Sequence, residues 1–288
     1  MYMPKILLRE LKGRIKLEIV IYLMIFIIGT LFGSFFTLAI YRIPLKQNIT
    51  HKRSYCPKCN HRLEFLDLIP VFSYIFLGGK CRYCKEKIRP RYIILECISG
   101  VIFLLFALSL KIDIYNLEIQ KLVYLLFGTL YISTLFIIGG IEKENHAISN
   151  SVLLFGLIVQ TIYIIYLYII NVSIYKYVIY LFVMFVLIFI NTILLKKKGE
   201  ENYTVQILTL CSYLAIATKE EIVILSIIFT LLLIAIKEMI ISKNINKANI
   251  VDEKEVKKVP IGYYLCFSNI AILIFNNFIM WKNLGIRV

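Results

Sequence analysis

"SYCPKCNHRLEFLDLIPVFSYIFLGGKCRYCKEKIRPRYIILE", residues 54–96, is a basic, cysteine-bearing stretch that runs directly into an apolar one. Two C-x2-C pairs, Cys56/Cys59 and Cys81/Cys84, bracket its middle. Each pair sits on a tight turn, so two thiolates converge from either side, as a tetrahedral four-thiolate zinc site requires. Pro57 and Asn60 flank the first turn, and Gly78 and Gly79 lead into the second. A redox or disulfide site is the competing reading and would suit an outward-facing loop. An insert of roughly 50 residues has too little core to fold alone. A metal here is therefore expected to be structural, since four thiolates leave no coordination position open to water.

Between the pairs, "EFLDLIPVFSYIFLGG" is apolar but broken by Asp67 and Pro70. It is too short to span a bilayer and reads as a segment lying against the membrane face or packed on the zinc ribbon. Asp67 is either the turn residue that caps this segment or a functional acid.

The surrounding chain sets the class. It has 288 residues, is 60% hydrophobic and has a mean hydropathy of +0.80. Apolar runs at 19–41, 92–110, 122–141, 151–170, 175–195, 204–218, 221–241 and 261–280 approach or reach the roughly 20 residues of a membrane-crossing helix, the sixth being the shortest. The expected fold is all-α: a polytopic membrane protein with about eight transmembrane helices and a small cytoplasmic zinc-binding insert. Its expected organisation is an N-terminal segment and first span (1–41), a zinc-binding domain (42–91) and a seven-helix membrane domain (92–288). Lys5, Arg9, Lys12, Arg14 and Lys16 before the first run resemble the start of a secretory signal. That run is too long for a signal's apolar region and no small-residue cleavage site follows, so it reads as a span. No internal repeat or low-complexity tract is visible.

The formal charge of +15 would suggest nucleic acid in a soluble chain. Here the Lys and Arg lie in loops beside spans, so the expected contact is membrane lipid and no nucleic acid. The loops after spans one, three, five and seven carry about twice the Lys and Arg of the remaining segments, which places them in the cytoplasm and both termini outside. The cationic N-terminal segment pulls the other way. In a reducing cytoplasm disulfides rarely persist, which favours zinc at the cysteine loop. Cys97, Cys211 and Cys266, scattered in apolar runs, read as packing residues. Arg42 reads as a headgroup anchor sooner than a substrate contact, and Glu96, inside the second run, needs a partner or a polar cavity unless it snorkels to the interface.

Three stretches carry a resemblance. "GSFFTLAIYRIP" (33–44) and "CPKCNHRLEFLDLIPVFSYIFLGGKCRYCKEKIRPRYIILECISG" (56–100) resemble the N-terminal region of bacterial type IV prepilin peptidases, also called leader peptidase/N-methyltransferases. "VPIGYYLCFSNIAIL" (259–273) resembles the Pro-x-Gly start of that family's last span, while spans two to seven agree mainly in layout. The resemblance implies a multi-pass protein of the bacterial cytoplasmic (inner) membrane with a two-step activity. Such enzymes cut the basic leader from type IV prepilin or pseudopilin precursors with two intramembrane aspartates, then methylate the new amine with S-adenosylmethionine. It associates the zinc-bearing insert with methylation, and Glu96 matches a family glutamate, a possible support of that site. No glycine-rich nucleotide loop is visible.

The family's aspartates are not present as aspartates. "IIGGIEKENHAISN" (137–150) puts Glu142 at the first catalytic position, with Ser149 and Asn150 where a proline and a second acid would follow. "KKKGEENYTVQIL" (196–208) matches a Gly-x-Gly-Asp motif with Gly199, but Glu201 replaces the second glycine and Asn202 the aspartate. Glu142 can titrate, although its extra methylene displaces the carboxylate by about 1 Å, worth on the order of a hundredfold in a tuned site. Asn202 cannot take a proton, which leaves Glu201 or Glu200 as the second carboxylate. Acids at span ends are also commonly solvated loop charges. Glu142 and His146, four apart, would share a face if helical, but lack a third metal ligand. Three readings stand: a leader peptidase with or without N-methylation, an inactive relative that binds pilin-like precursors or assembly partners, and a membrane thiol oxidoreductase.

Overall fold

The computed structural model describes residues 5–49, 54–112, 118–190, 193, 203–248 and 259–283. These form α1 (Lys5–Arg42), a 3-10 helix (Phe65–Leu68), α2 (Phe72–Phe76), α3 (Arg91–Ser109), α4 (Ile119–Asn145), α5 (Asn150–Ile169), α6 (Tyr175–Phe189), α7 (Tyr203–Ala217), α8 (Glu220–Ala248) and α9 (Ile261–Asn283). Each expected apolar run falls on a helix: six on long helices, and those at 175–195 and 204–218 on the shorter α6 and α7, the end of the former lying outside the described residues. The first helix extends further toward the N-terminus than its apolar run, and α8 extends further toward the C-terminus. Among the described residues there is no strand, only the isolated bridges Tyr55–Arg62 and Lys80–Lys87. Among the described residues, six helices (α1, α3, α4, α5, α8 and α9) are long and apolar enough to cross a membrane, while α6 and α7 are shorter apolar helices. The protein is a multi-pass membrane protein.

The helices show why. On α5, Val152, Gly156, Val159 and Gln160 are buried, whereas Phe155, Ile158, Ile162 and Ile165 on the other side are exposed. A helix apolar on both its buried and its exposed face is solvated by lipid rather than water.

The chain divides into two units, Met1–Leu126 and Phe127–Val288. In the first, α1 packs along α3, and the contact is made by small residues. A Cβ on Gly33 would lie 2.7 Å from the Glu96 Cα and 3.0 Å from the Ser99 Cβ; one on Gly29 would lie 2.8 Å from the Gly100 Cα. Gly29 and Gly33 form a G-x3-G pair, and their missing side chains bring the two backbones into contact, the usual device where lipid supplies no hydrophobic drive between helices.

In the second unit α4 is the most buried span. Its Phe136 meets Phe267 of α9 edge-on at 5.2 Å, and its Tyr131 ring lies 5.4 Å from Tyr213 of α7. Buried polar side chains tie the helices. The Tyr131 hydroxyl donates to Asn269 Oδ1 at 2.7 Å, Asn269 Nδ2 donates to Ser226 Oγ at 3.2 Å, and Ser226 donates to the Ile222 carbonyl at 2.6 Å. This buried relay joins α4, α9 and α8.

Candidate functional site

The cysteine insert is built from two turns of one design. In the first, the Cys56 N–H donates to the His61 carbonyl at 3.0 Å, Asn60 N–H to the Cys56 carbonyl at 2.9 Å, and Leu63 N–H to the Ser54 carbonyl at 2.9 Å. In the second, Cys81 N–H donates to Glu86, Lys85 N–H to Cys81, and Ile88 N–H to Gly79, at 2.8, 3.1 and 2.8 Å. Asn60 and Lys85 take the same left-handed conformation, φ 54° and 59°. The repetition is therefore structural, although little beyond C-x2-C is shared in sequence. His61 and Tyr83 bring the turns together, ring on ring at 3.5 Å.

The four Sγ atoms lie within 4.8 Å of one another, with Cys56 and Cys84 at 3.8 Å. Zn–S bonds of about 2.3 Å in a tetrahedron imply S···S edges of about 3.8 Å, whereas a disulfide is about 2.05 Å. The donor set and spacing fit a four-thiolate metal. The Cys59 backbone N–H directed at the sulfur lowers Cys56 to about 7, against its desolvation. At Cys84 the Glu86 backbone N–H lowers the pKa, but desolvation and hydrogen bonds to the other three thiols outweigh it and push the thiol up to about 11. Among the described residues this is the only group of three or more His, Cys, Asp or Glu placed to hold a metal.

Asp67 is a tie within the insert. Its Oδ2 accepts from the Glu64 N–H at 3.2 Å, capping the 3-10 helix, and its Oδ1 accepts from Arg82 Nε of the second turn at 2.7 Å. Of the two readings of Asp67, the geometry matches the capping one. Arg42 departs from the sequence expectation of a headgroup anchor. It is buried, and its guanidinium donates to the Asn48 carbonyl at 3.2 Å, because the chain folds back over the end of α1.

Glu96, half-buried on α3, accepts the Val71 N–H at Oε2, 2.8 Å. Val71 has φ 64° and ψ −53°, and the Phe72 N–H reaches back to the Pro70 carbonyl at 2.6 Å. This is the rare, strained γ-turn with positive φ, here at a β-branched residue. The carboxylate supplies the partner that the turn's N–H lacks within its own segment. The sequence asked for a partner for Glu96, and it finds the Val71 backbone amide and the Ser34 hydroxyl rather than a cation.

Glu142, near the C-terminal end of α4, is fully buried. Its Oε1 accepts the Gly262 N–H at 2.9 Å and the Tyr203 hydroxyl, and Tyr203 Oη in turn accepts the Ile261 N–H at 3.1 Å. The carboxylate thus sits on the first turn of α9, where free N–H groups and the helix dipole favour an anion. Its Oε2 is buried and has no hydrogen-bond partner among the described residues. A Cβ on Gly262 would run into Oε2 and lie 3.0 Å from Cδ, so only glycine lets the acid come this close. His146 follows the last residue of α4 with φ 52°, its N–H on the Glu142 carbonyl, so it lies past the helix rather than on a shared helical face.

Glu200, Glu201 and Asn202 lie outside the described residues. Tyr203, which follows them, reaches Glu142. Sequence reasoning did not single out Tyr203 or the Gly29/Gly33 pair. G-x3-G in an apolar run is a readable signal for the glycines, whereas nothing local marks a tyrosine whose partner is on another helix.

Comparison with known proteins adds a separate line. Residues 27–110 match the family model described as the Bacterial Peptidase A24 N-terminal domain. The chain is 30% identical over 136 residues to a Prepilin leader peptidase/N-methyltransferase of Klebsiella pneumoniae, covering 45% of this chain and 56% of that protein. It is 34% identical over 134 residues to one of Bacillus subtilis, covering 46% and 50%. A third, from Vibrio cholerae serotype O1, is 41% identical over 85 residues, covering 26% and 34%. The match thus spans about half or less of these curated relatives. No solved structure matches.

Proposed function

We propose that this chain, which carries a bacterial peptidase A24 N-terminal domain and is related through it to the prepilin leader peptidase/N-methyltransferases, is a leader peptidase-like protein acting on type IV pilin-like precursors. It would work at the cytoplasmic face of the bacterial inner membrane, with residues 42–91 as a cytoplasmic zinc-binding domain. Cys56, Cys59, Cys81 and Cys84 would hold the zinc, whose contribution is to fix the insert's fold. The single observation that carries the peptidase reading is Glu142: a fully buried carboxylate whose Oε2 has no hydrogen-bond partner among the described residues, held against the first turn of α9.

Glu142 is proposed as one carboxylate of the pair and Glu201 or Glu200 as the other. Two such groups share a proton. The ionised one takes a proton from water as its oxygen attacks the scissile carbonyl; the protonated one gives its proton to the departing amine as the C–N bond breaks. Tyr203 ties the chain just after residues 199–202 to Glu142, which supports this pairing. Glu96, the residue the resemblance links to methylation, has one oxygen engaged by the Val71 N–H, and we derive no S-adenosylmethionine step through it.

A second reading, a platform that binds precursors without cutting them, is favoured by Asn202 standing where an aspartate would be. Incubating the purified protein with a pilin-like precursor from the same genome, beside Glu142→Gln, Glu200→Gln and Glu201→Gln, separates the two. Cleavage abolished by Glu142→Gln and by one of the other variants supports the dyad. Binding without cleavage by the unaltered chain would establish the platform instead.

A further inference from the structure

We infer that the segment from Phe65 to Phe76 is a membrane-interface foot, inserting its aromatic face among the headgroups and upper acyl chains of the bilayer beside α3. The inference rests on depth, exposure and charge together, and does not depend on whether the chain is a peptidase.

Depth comes from Glu96. Arg91 opens α3 and Glu96 lies five residues further in, about 7.5 Å along the axis at 1.5 Å per residue. The Val71 amide is hydrogen-bonded to that carboxylate, so the γ-turn and the start of α2 sit level with the second turn of a spanning helix. A segment held there lies at the depth that interfacial helices occupy, about 5–10 Å into the boundary between headgroups and acyl chains.

Exposure shows which way the segment faces. Tyr74 turns inward, donating from its hydroxyl to the Ile88 carbonyl at 3.4 Å, and Asp67 is tied to Arg82. Phe65 is 81% exposed and Phe76 84%, and Leu66, Phe72 and Ile75 are exposed beside them on the 3-10 helix and α2. Large aromatics left open along an anchored segment mark an interaction surface. At this depth the surface meets lipid first. Lys80, Lys85, Lys87 and Arg89, exposed on the second cysteine turn, give the insert the cationic character that anionic headgroups attract. The strained turn at Val71 sets the direction in which α2 leaves it, and Glu96 holds that turn through the Val71 N–H.

The test places a tryptophan at residue 76 (Phe76→Trp, with Trp281→Phe so that the reporter is alone) in full-length, zinc-loaded protein. The protein is reconstituted into phosphatidylcholine/phosphatidylglycerol vesicles. Emission shifted to the blue, quenched by lipids brominated near the top of the acyl chain more than by deeply brominated ones, and shielded from aqueous iodide, is the expected result. Phe65→Trp should behave alike. Emission at the wavelength of exposed indole, quenched by iodide and not by brominated lipid, would overturn the inference and leave the face open to a protein. Shielding from both quenchers would also overturn it, placing a second copy over the segment. Glu96→Leu should lower the quenching by brominated lipid if the Val71 tie sets the depth; quenching left unchanged would remove Glu96 from that role.

Discussion

Replacing Gly262 with alanine tests the arrangement around Glu142 by the sign of its effect. Alanine in place of glycine near a helix start is favourable by up to about 1 kcal/mol through backbone entropy and helix propensity. Against this, the new Cβ would collide with Glu142 Oε2 and lie 3.0 Å from its Cδ and 3.2 Å from Oε1. The carboxylate, being the end of a side chain, would swing away and release its bonds to the Gly262 N–H and the Tyr203 hydroxyl. Hydrogen bonds to a charged group are worth about 1.5–3 kcal/mol each, and a buried donor left alone costs about 1–3 kcal/mol. Two such bonds lost against up to about 1 kcal/mol gained leave G262A less stable by roughly 2–5 kcal/mol. The measurement is reversible unfolding in mixed micelles, with hydrogen exchange at the first turn of α9 and, where cleavage is seen, the rate of precursor cleavage. A variant more stable by about 1 kcal/mol, with protection at the Gly262 amide position unchanged, would show propensity acting alone and refute the carboxylate contact.

The insert should bind one zinc ion per chain, and its removal by chelator should unfold residues 54–88 while the spans keep their helicity. Metal analysis and circular dichroism check this, and an insert that stays folded without metal would contradict a structural site. Metal affinity should fall as pH is lowered, because thiolates are the ligands. Cys84 in particular, pushed up to about 11 without metal, must surrender its proton to bind. Competition with a metal-responsive dye across pH reads this, and an affinity indifferent to pH would count against thiolate ligation. Gly33→Val should destabilise the first unit by about 1–3 kcal/mol, since its Cβ meets the backbone of α3 and no rotamer relieves it. Unfolding in mixed micelles measures the loss, and no loss would mean the helices are further apart than described.

The spans were legible because their cause is local: a bilayer of fixed thickness demands a long apolar run, and such a run is visible residue by residue. The cysteine site was legible for a similar reason, since C-x2-C places two thiolates on one turn without help from the rest of the fold. Glu142 and Glu96 could be singled out because an acid in or beside an apolar span is costly enough to demand a reason. What each acid touches was not legible. Glu142 meets Tyr203 and Gly262, 61 and 120 residues away, and Glu96 meets the amide of Val71, 25 residues earlier. Those partners are chosen by how helices pack, and packing turns on which glycines let backbones close and which turn strains to offer its N–H. The sequence by itself determined the number and place of the apolar runs and the chemistry of the four-thiol cluster. Only the tertiary structure decided that one acid caps α9 and the other holds a γ-turn, because both contacts exist only once distant segments share a surface.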